Sequence, residues 1–398
     1  IATLADKVAS WFVAALLLVA GGVGYTWWQI NPDDALWVVI SVLVVTCPCA
    51  LSLATPAAMT AATGSLTRLG VLTTRGHALE TLARATHIIL DKTGTVTTGH
   101  LGLEQVVILG DKDEQACREI ASALEQDSEH PIGQMLAALP ASCKAEAVVA
   151  MPGMGIEGRI SGQRYRIGQE KYIQQWHPQF SIQEASTTSQ IWLANEQQVL
   201  CVFEFADTLR SEALEAIRQL NELGLQVELL SGDGEAAVQQ VAQTLGLEHW
   251  AARQTPEGKL RHVNALQQQG AIIAMVGDGV NDAPVLAGAQ VSLAMGGGTQ
   301  LAQATSDMVL LSQHLLHLPE AVKRARQTLR IIRQNLLWAV GYNLVALPLA
   351  AMGFVAPWMA AIGMSASSLI VVLNALRLNV DNQQQRKERA QRALTGVT

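Results

Sequence analysis

Three acidic turns hold the residues of this sequence that could do covalent chemistry. Asp91-Lys92-Thr93-Gly94-Thr95 follows Ile88-Ile89-Leu90, and Ser231-Gly232-Asp233 follows Leu229-Leu230. Gly277-Asp278-Gly279-Val280-Asn281-Asp282 follows Met275-Val276, and Lys259 lies on the approach to that third run. A carboxylate can act as a nucleophile and form a covalent intermediate. Asp91 is read as the nucleophile that takes a phosphoryl group. Asp278 would hold Mg²⁺ together with Asp91, because Mg²⁺ takes one or two carboxylates plus phosphate oxygens and water. Lys259 and the turn amides would neutralise the charge on the transferring group. A lone Asp at a strand end is more often a helix cap. That reading does not account for two such acidic motifs on successive strand ends.

A second constellation is Cys47-Pro48-Cys49, in the middle of a long uncharged stretch. Proline lacks the N–H and its ring clashes with the carbonyl four residues back, so a helix should break there. A broken helix inside a bilayer is tolerated where it lines a site. Two thiols beside the break can turn toward one point, and thiolates select soft ions, Cu(I) or borderline Zn(II).

The elements that must position these residues fall into two kinds. Charged residues make up only 15% of the 398 residues and hydrophobic ones 49%. Average soluble domains carry about 25% charged residues, so the deficit points to membrane spans. Uncharged stretches separate Lys7 from Asp33, Asp34 from Arg68 and Arg333 from Arg377. A helix needs roughly 20 apolar residues to cross a bilayer. Four spans are therefore expected, at about 9–30, 35–58, 335–353 and 357–377. The loops at Gln29 to Asp34 and Gly353 to Pro357 lack Lys and Arg, whereas the other ends are basic. Both termini and the middle segment should then be cytoplasmic.

The middle segment reads as α/β. Apolar runs at 87–90, 226–230, 272–276 and 291–294 look like buried parallel strands. A helix is expected over 208–223, with Gly224 as its C-terminal cap. Alternating strands and helices argue for a doubly wound sheet, whose ligands bind at the carboxyl ends of the strands. The net charge of −7 leaves no basic footprint of the kind nucleic-acid binding needs. Five cysteines at irregular spacing argue against a disulfide framework.

The motif pair Asp91-Lys92-Thr93-Gly94-Thr95 and Gly277-Asp278-Gly279-Val280-Asn281-Asp282-Ala283-Pro284 resembles the P-type ATPases. Asp207-Thr208-Leu209-Arg210 and Pro256-Glu257-Gly258-Lys259 fit further elements of that family, and Ser231-Gly232-Asp233 replaces its usual Thr-Gly-Asp. The resemblance implies a multidomain membrane protein. Transmembrane α-helices would accompany a cytoplasmic α/β haloacid-dehalogenase-like phosphorylation domain with an inserted α+β nucleotide-binding domain. The expected division is spans at 1–65, phosphorylation domain at 66–100 and 204–332, nucleotide-binding domain at 101–203, spans at 333–380 and a tail at 381–398. Lys92, Thr93, Thr95, Asp207, Ser231, Gly232, Asp233, Asn281 and Asp282 would join Asp91 and Lys259 in catalysis, with Thr93 a third Mg²⁺ contact. Ser128-Glu129-His130-Pro131 and the glycine run after Pro152 resemble the heavy-metal subgroup, implying ATP contacts at Glu125, His130, Gly153, Gly155 and Gly168. That subgroup often has Asn where Gln169 stands.

No Asp, Glu, Lys or His occurs between Arg333 and Arg377, where Zn(II) pumps would be expected to carry an acidic residue. Tyr342-Asn343 and Met364-Ser365-Ala366-Ser367-Ser368 look like the Cu(I)-exporting branch. Carried over, Cys47, Cys49, Tyr342, Asn343, Met364 and Ser368 are the candidate Cu(I) ligands, and Ag(I) would be accepted too. The resemblance further implies Cu(I) delivery by a cytoplasmic copper chaperone and a place in a bacterial inner membrane. The family's actuator motif Thr-Gly-Glu is not found, so the expectation is the C-terminal portion of a pump, with its N-terminal half as partner. Two other readings stay open: a Zn(II), Cd(II) or Pb(II) pump, and a non-transporting membrane protein that binds nucleotide or metal.

Overall fold

The computed structural model describes residues 2–47, 49–128, 130–179, 189–278 and 283–395, with side chains of 2–14, 100, 101, 131, 189 and 380–395 left out. The chain opens with helices α1 (Ala2–Ile30), α2 (Pro32–Val45) and α3 (Cys49–Arg68). It continues through β1 (Val71–Thr73), α4 (Ala78–Arg84), β2 (His87–Asp91) and β3 (Thr97–Ile108). Then come α5 (Glu114–Glu125), α6 (Pro131–Ala137), β4 (Glu146–Met151), β5 (Gly155–Ile160), β6 (Gln163–Gly168), α7 (Glu170–Ile173), β7 (Ser189–Asn195) and β8 (Val199–Leu209). The return path is α8 (Ala213–Glu222), β9 (Gln226–Leu230), α9 (Glu235–Leu245), β10 (His249–Ala251), α10 (Pro256–Gln268) and β11 (Ile273–Gly277). It closes with α11 (Ala283–Gly288), β12 (Val291–Met295), α12 (Gln300–Thr305), β13 (Met308–Leu310), α13 (His317–Ala351) and α14 (Pro357–Thr395).

Seven strands form one sheet in the order β1-β13-β12-β11-β2-β9-β10, parallel except for β1 against β13. Its strands are covered on both faces, which is why they read as continuous apolar runs. Ile88 and Leu90 pack into the core shared with α4, α8 and α13, while Ile89 joins the opposite core with Met275, Val263 and Leu286. Each such fully buried side chain contributes about 1.5–3 kcal/mol relative to exposure. The expected strands are all present within a residue or two.

The helix expected over 208–223 starts later, at Ala213. Thr208 and Leu209 belong instead to β8, because the register pairs Leu209 with Thr97. Gly224, at φ 73°, follows the last helical turn as expected and donates to Asn221 O at 2.8 Å.

A second sheet, antiparallel, has the order β3-β8-β7-β6-β5-β4 and packs α5 over its core. Its long strands β3 and β8 run back to the first sheet, so they are both the insertion's outermost pair and its connection.

Among the described residues, two helical runs are long and apolar enough to cross a bilayer by length and composition, Pro32–Arg68 and Pro357–Asn379. Two of the four expected spans, 35–58 and 357–377, fall within these runs. The described apolar part of α1, Ala15–Ile30, is shorter. The stretch 335–353 is the second half of α13, where Asn335, Tyr342 and Asn343 dilute the apolar run. The expected break is present: α2 ends at Val45 and α3 begins at Cys49, with Pro48 outside the described residues.

Candidate active site and ion path

Strand register places the acidic turns at one edge of the first sheet. Asp91 pairs with Leu230, and Val276 pairs with Leu90. Asp91, Ser231 and Asp278 therefore follow one another across the carboxyl ends of three adjacent strands. Asp91 is 6% exposed and Lys259 5%. Lys259 Nζ meets Asp91 Oδ1 at 2.5 Å. Breaking a buried pair by removing one partner costs about 3–5 kcal/mol, so this pair fixes where the Asp91 carboxylate sits. Lys259 is aimed by α10, whose first turn is capped by Thr255 Oγ1 accepting from Gly258 N at 3.1 Å.

The loop after Asp91 folds tightly. Gly94 has φ 70°, and a Cβ there would stand 2.6 Å from Asp278 Oδ2. Only glycine lets the Asp278 carboxylate lie against this loop. On its other side, the Asp278 carbonyl accepts from Thr299 N at 3.1 Å, beside Gly298. A cradle of two carboxylates with a glycine between them suits Mg²⁺, which prefers few protein ligands and keeps several waters. Asp91, Thr93 and Asp278 would hold it.

The remaining catalytic candidates divide. Lys92 pairs with Asp233. Ser231 is buried and accepts from Asp233 N at 3.1 Å, so serine keeps the turn that threonine usually makes. Gly232 lies in that turn, where a Cβ would meet Gln254 O at 3.4 Å. Thr95 Oγ1 is buried without a hydrogen-bond partner among the described residues. Asp207 accepts from Gly99 N at 3.0 Å and lies 2.5 Å from Thr97 Oγ1, so it pins the start of β3. Asn281 and Asp282 lie outside the described residues. A cleft of about 730 Å³ opens beside the loop, lined by Lys92, Thr93, Asp207, Asp233, Phe205 and Gln240 among others.

Sequence reasoning missed two residues here. Arg210 donates to Thr95 O at 2.9 Å, Gly94 O at 3.1 Å and Gln313 O at 2.9 Å. It clamps the loop that follows Asp91. Thr97 Oγ1 accepts from Gly94 N at 3.1 Å and lies 2.9 Å from Lys92 O. The only sequence signal for either was Arg210's place in Asp207-Thr208-Leu209-Arg210.

In the second sheet, Glu125 ends α5 and is buried. Burial pushes its carboxyl above the usual range, against the pull of the Ser128 hydroxyl and His130. Gly133 packs on Ser128 and Glu125, and a side chain there would overlap both. His130 caps α6, its Nδ1 accepting from Ile132 N at 3.3 Å. Gly155 and Gly168 face each other across β5 and β6, backbone against backbone. Gly153 has φ 73° with open space around it.

At the break between α2 and α3, the Cys47 and Cys49 sulfurs are joined as a disulfide. The two sulfurs beside the break thus meet at one point. As ligands both would be reduced. Cys49 Sγ is 4.0 Å from Met364 Sδ, so three sulfurs gather there. The Tyr342 hydroxyl packs on Gly363, next to Met364. Asn343 Nδ2 donates to Ala339 O at 2.9 Å, and its Oδ1 is buried without a hydrogen-bond partner among the described residues. Ser368 is half-buried. Its neighbour Ser367 is the buried serine, accepting from Trp338 Nε1 at 3.1 Å. No group of three or more His, Cys, Asp and Glu gathers among the described residues.

Residues 85–290 match the family model described as haloacid dehalogenase-like hydrolase. A probable copper-exporting P-type ATPase V of Mycobacterium tuberculosis is 37% identical over 393 residues, covering 94% of this chain and 51% of its own length. A probable copper-importing P-type ATPase A of Enterococcus hirae is 39% identical over 401 residues, covering 94% and 53%. The crystal structure of a zinc-transporting PIB-type ATPase in its E2.Pi state superposes with a TM-score of 0.81 at 32% identity, covering 94% of this chain and 63% of that one. The chain spans about half the length of the curated relatives it matches.

Proposed function

Since the chain belongs to the haloacid dehalogenase-like hydrolases, in the form that P-type ATPases carry, we propose that it is the catalytic and ion-path portion of an ATP-driven pump that exports Cu(I), and Ag(I) with it, across a membrane through an aspartyl phosphate. The observation that carries the ion assignment is the gathering of Cys47, Cys49 and Met364 sulfurs. No acidic residue or histidine lies between Arg333 and Arg377 to complete a site for a divalent ion. Soft thiolate and thioether donors select Cu(I). Leu337, Leu344 and Leu369 lie exposed on α13 and α14, as lipid-facing side chains would.

In this reading the nucleotide's base end lies by Glu125 and His130 and its γ-phosphate at the strand edge. A carboxylate oxygen of Asp91 attacks the γ-phosphorus. The new O–P bond forms as the bond to the β–γ bridging oxygen breaks, and ADP leaves with that electron pair. Lys259 holds Asp91 in place and offsets charge on the phosphoryl oxygens. Mg²⁺, when bound, neutralises those oxygens and aligns them. Arg210 keeps the loop carbonyls from drifting during the transfer.

The zinc-transporting structural relative supports a second reading, a Zn(II) pump. ATP hydrolysis by the full-length protein under reducing conditions separates the two. Cu(I) and Ag(I) should stimulate it, and Cys47→Ala and Asp91→Asn should each abolish the stimulation. Stimulation by Zn(II) alone would sink the copper assignment.

A further inference from the structure

We propose that Asp307, with Arg75 and His77, is a clasp that couples the sulfur-bearing helix α3 to the strand edge where Asp91 and Asp278 sit. It rests on the reading of α3 as an ion-path helix and of Asp91 as the phosphoryl acceptor. It does not depend on which ion is carried.

The need for a clasp follows from the size of β1. This strand begins three residues after α3 ends and has only three residues, Val71–Thr73, paired antiparallel with Leu310–Met308 at the sheet's edge. So short an edge pairing would fray or slip when α3 moves. Gly70, at φ 82°, extends it by one bond, accepting from Leu311 N at 2.8 Å.

Beyond β1 the chain is tied down much harder. Thr74 N donates to Asp307 O at 2.9 Å, and Thr74 Oγ1 donates to Ser306 O at 2.6 Å. Arg75 Nη2 donates to Thr305 O at 3.2 Å. Arg75 Nη1 lies 3.2 Å from Asp307 Oδ1, and His77 Nε2 lies 3.5 Å from the same oxygen.

Asp307 is 3% exposed. Its Oδ1 finds no well-aligned hydrogen bond among the described residues, so the guanidinium and imidazole are its compensation. Its Oδ2 faces the sheet and accepts from Ser292 N at 2.9 Å and Ser292 Oγ at 3.1 Å. Ser292 stands opposite Met275 on β11, the strand that ends at Gly277, one residue before Asp278. One carboxylate thus touches the strap after α3 with one oxygen and the strand beside the Mg²⁺ cradle with the other. A buried carboxylate is costly to leave unpaired, so strap and sheet move together. Arg75, His77 and Asp307 are positioning residues. None touches the reacting atoms.

The test follows the thiols in the reduced full-length protein. Cys47 and Cys49 are titrated with a membrane-permeant maleimide, with and without beryllium fluoride as the phosphate analogue at Asp91. In the wild type the analogue should change the thiol reaction rate by roughly fivefold or more, the lower end for a coupled pair of sites. Arg75→Ala should remove that change while nucleotide still protects the protein from proteolysis. Arg75→Lys, which keeps the charge, should restore part of it. Retention of the full change in Arg75→Ala overturns the clasp, as does a wild type in which the analogue leaves thiol reactivity unaltered. Ion identity is read separately from Cu(I) against Zn(II) stimulation, so failure of the copper assignment leaves this result standing.

Discussion

Replacing Arg210 by alanine should slow phosphorylation of Asp91 without loosening ATP. Arg210 donates to three backbone carbonyls, two of them in the loop just after the nucleophile. A hydrogen bond to a charged group is worth about 1.5–3 kcal/mol. The Gln313 carbonyl sits in an exposed segment where water can replace the guanidinium, so two bonds count, roughly 3–6 kcal/mol before relaxation. The loop keeps other ties, including Gly94 N to Thr97 Oγ1 and the Asp91–Lys259 pair. We therefore expect displacement of the loop and not unfolding. A misplacement of about 1 Å costs on the order of 100-fold in rate. Single-turnover phosphorylation by ATP should fall by about that factor in Arg210→Ala, with ATP affinity within about twofold of wild type. Arg210→Lys should recover only part, because one ammonium lacks the fork that spans two carbonyls. A rate within about threefold of wild type in Arg210→Ala would refute this reasoning, as would an affinity loss as large as the rate loss.

Two further outcomes are expected. Gly94→Ala should abolish Mg²⁺-dependent phosphorylation while the protein stays folded. The new methyl would stand 2.6 Å from Asp278 Oδ2, and left-handed backbone adds about 1–2 kcal/mol of strain. Retained activity with an unchanged Mg²⁺ requirement would contradict the cradle. Glu125→Gln should raise the melting temperature at pH 8. The folded carboxyl has a raised pKa, so stability from its neutral form is present below the unfolded value and lost as pH rises through the folded one. The advantage of Gln should close as the pH falls, and a difference that grows in acid would reverse the sign argued here.

Much of the strand edge that carries Asp91 was legible because its strands are buried on both faces and its turns are local. Four apolar runs ending in Gly, Ser or Asp marked β2, β9, β11 and β12 almost to the residue. The break in the second apolar stretch was equally local, since one proline sets it. What acts across the chain was not legible. Arg210 reaches carbonyls more than a hundred residues earlier, and backbone acceptors leave no side-chain signature. Thr208 and Leu209 look helical by periodicity, yet pairing with β3 draws them into a strand. Asp307 gave no local hint because its partners Arg75, His77 and Ser292 converge only through the sheet.

The most direct measurement is covalent labelling of Asp91. The full-length protein, given ATP labelled on its γ-phosphate, should yield an acid-stable label that hydroxylamine removes and that Asp91→Asn lacks. A label that resists hydroxylamine, or one that persists in Asp91→Asn, would contradict the account.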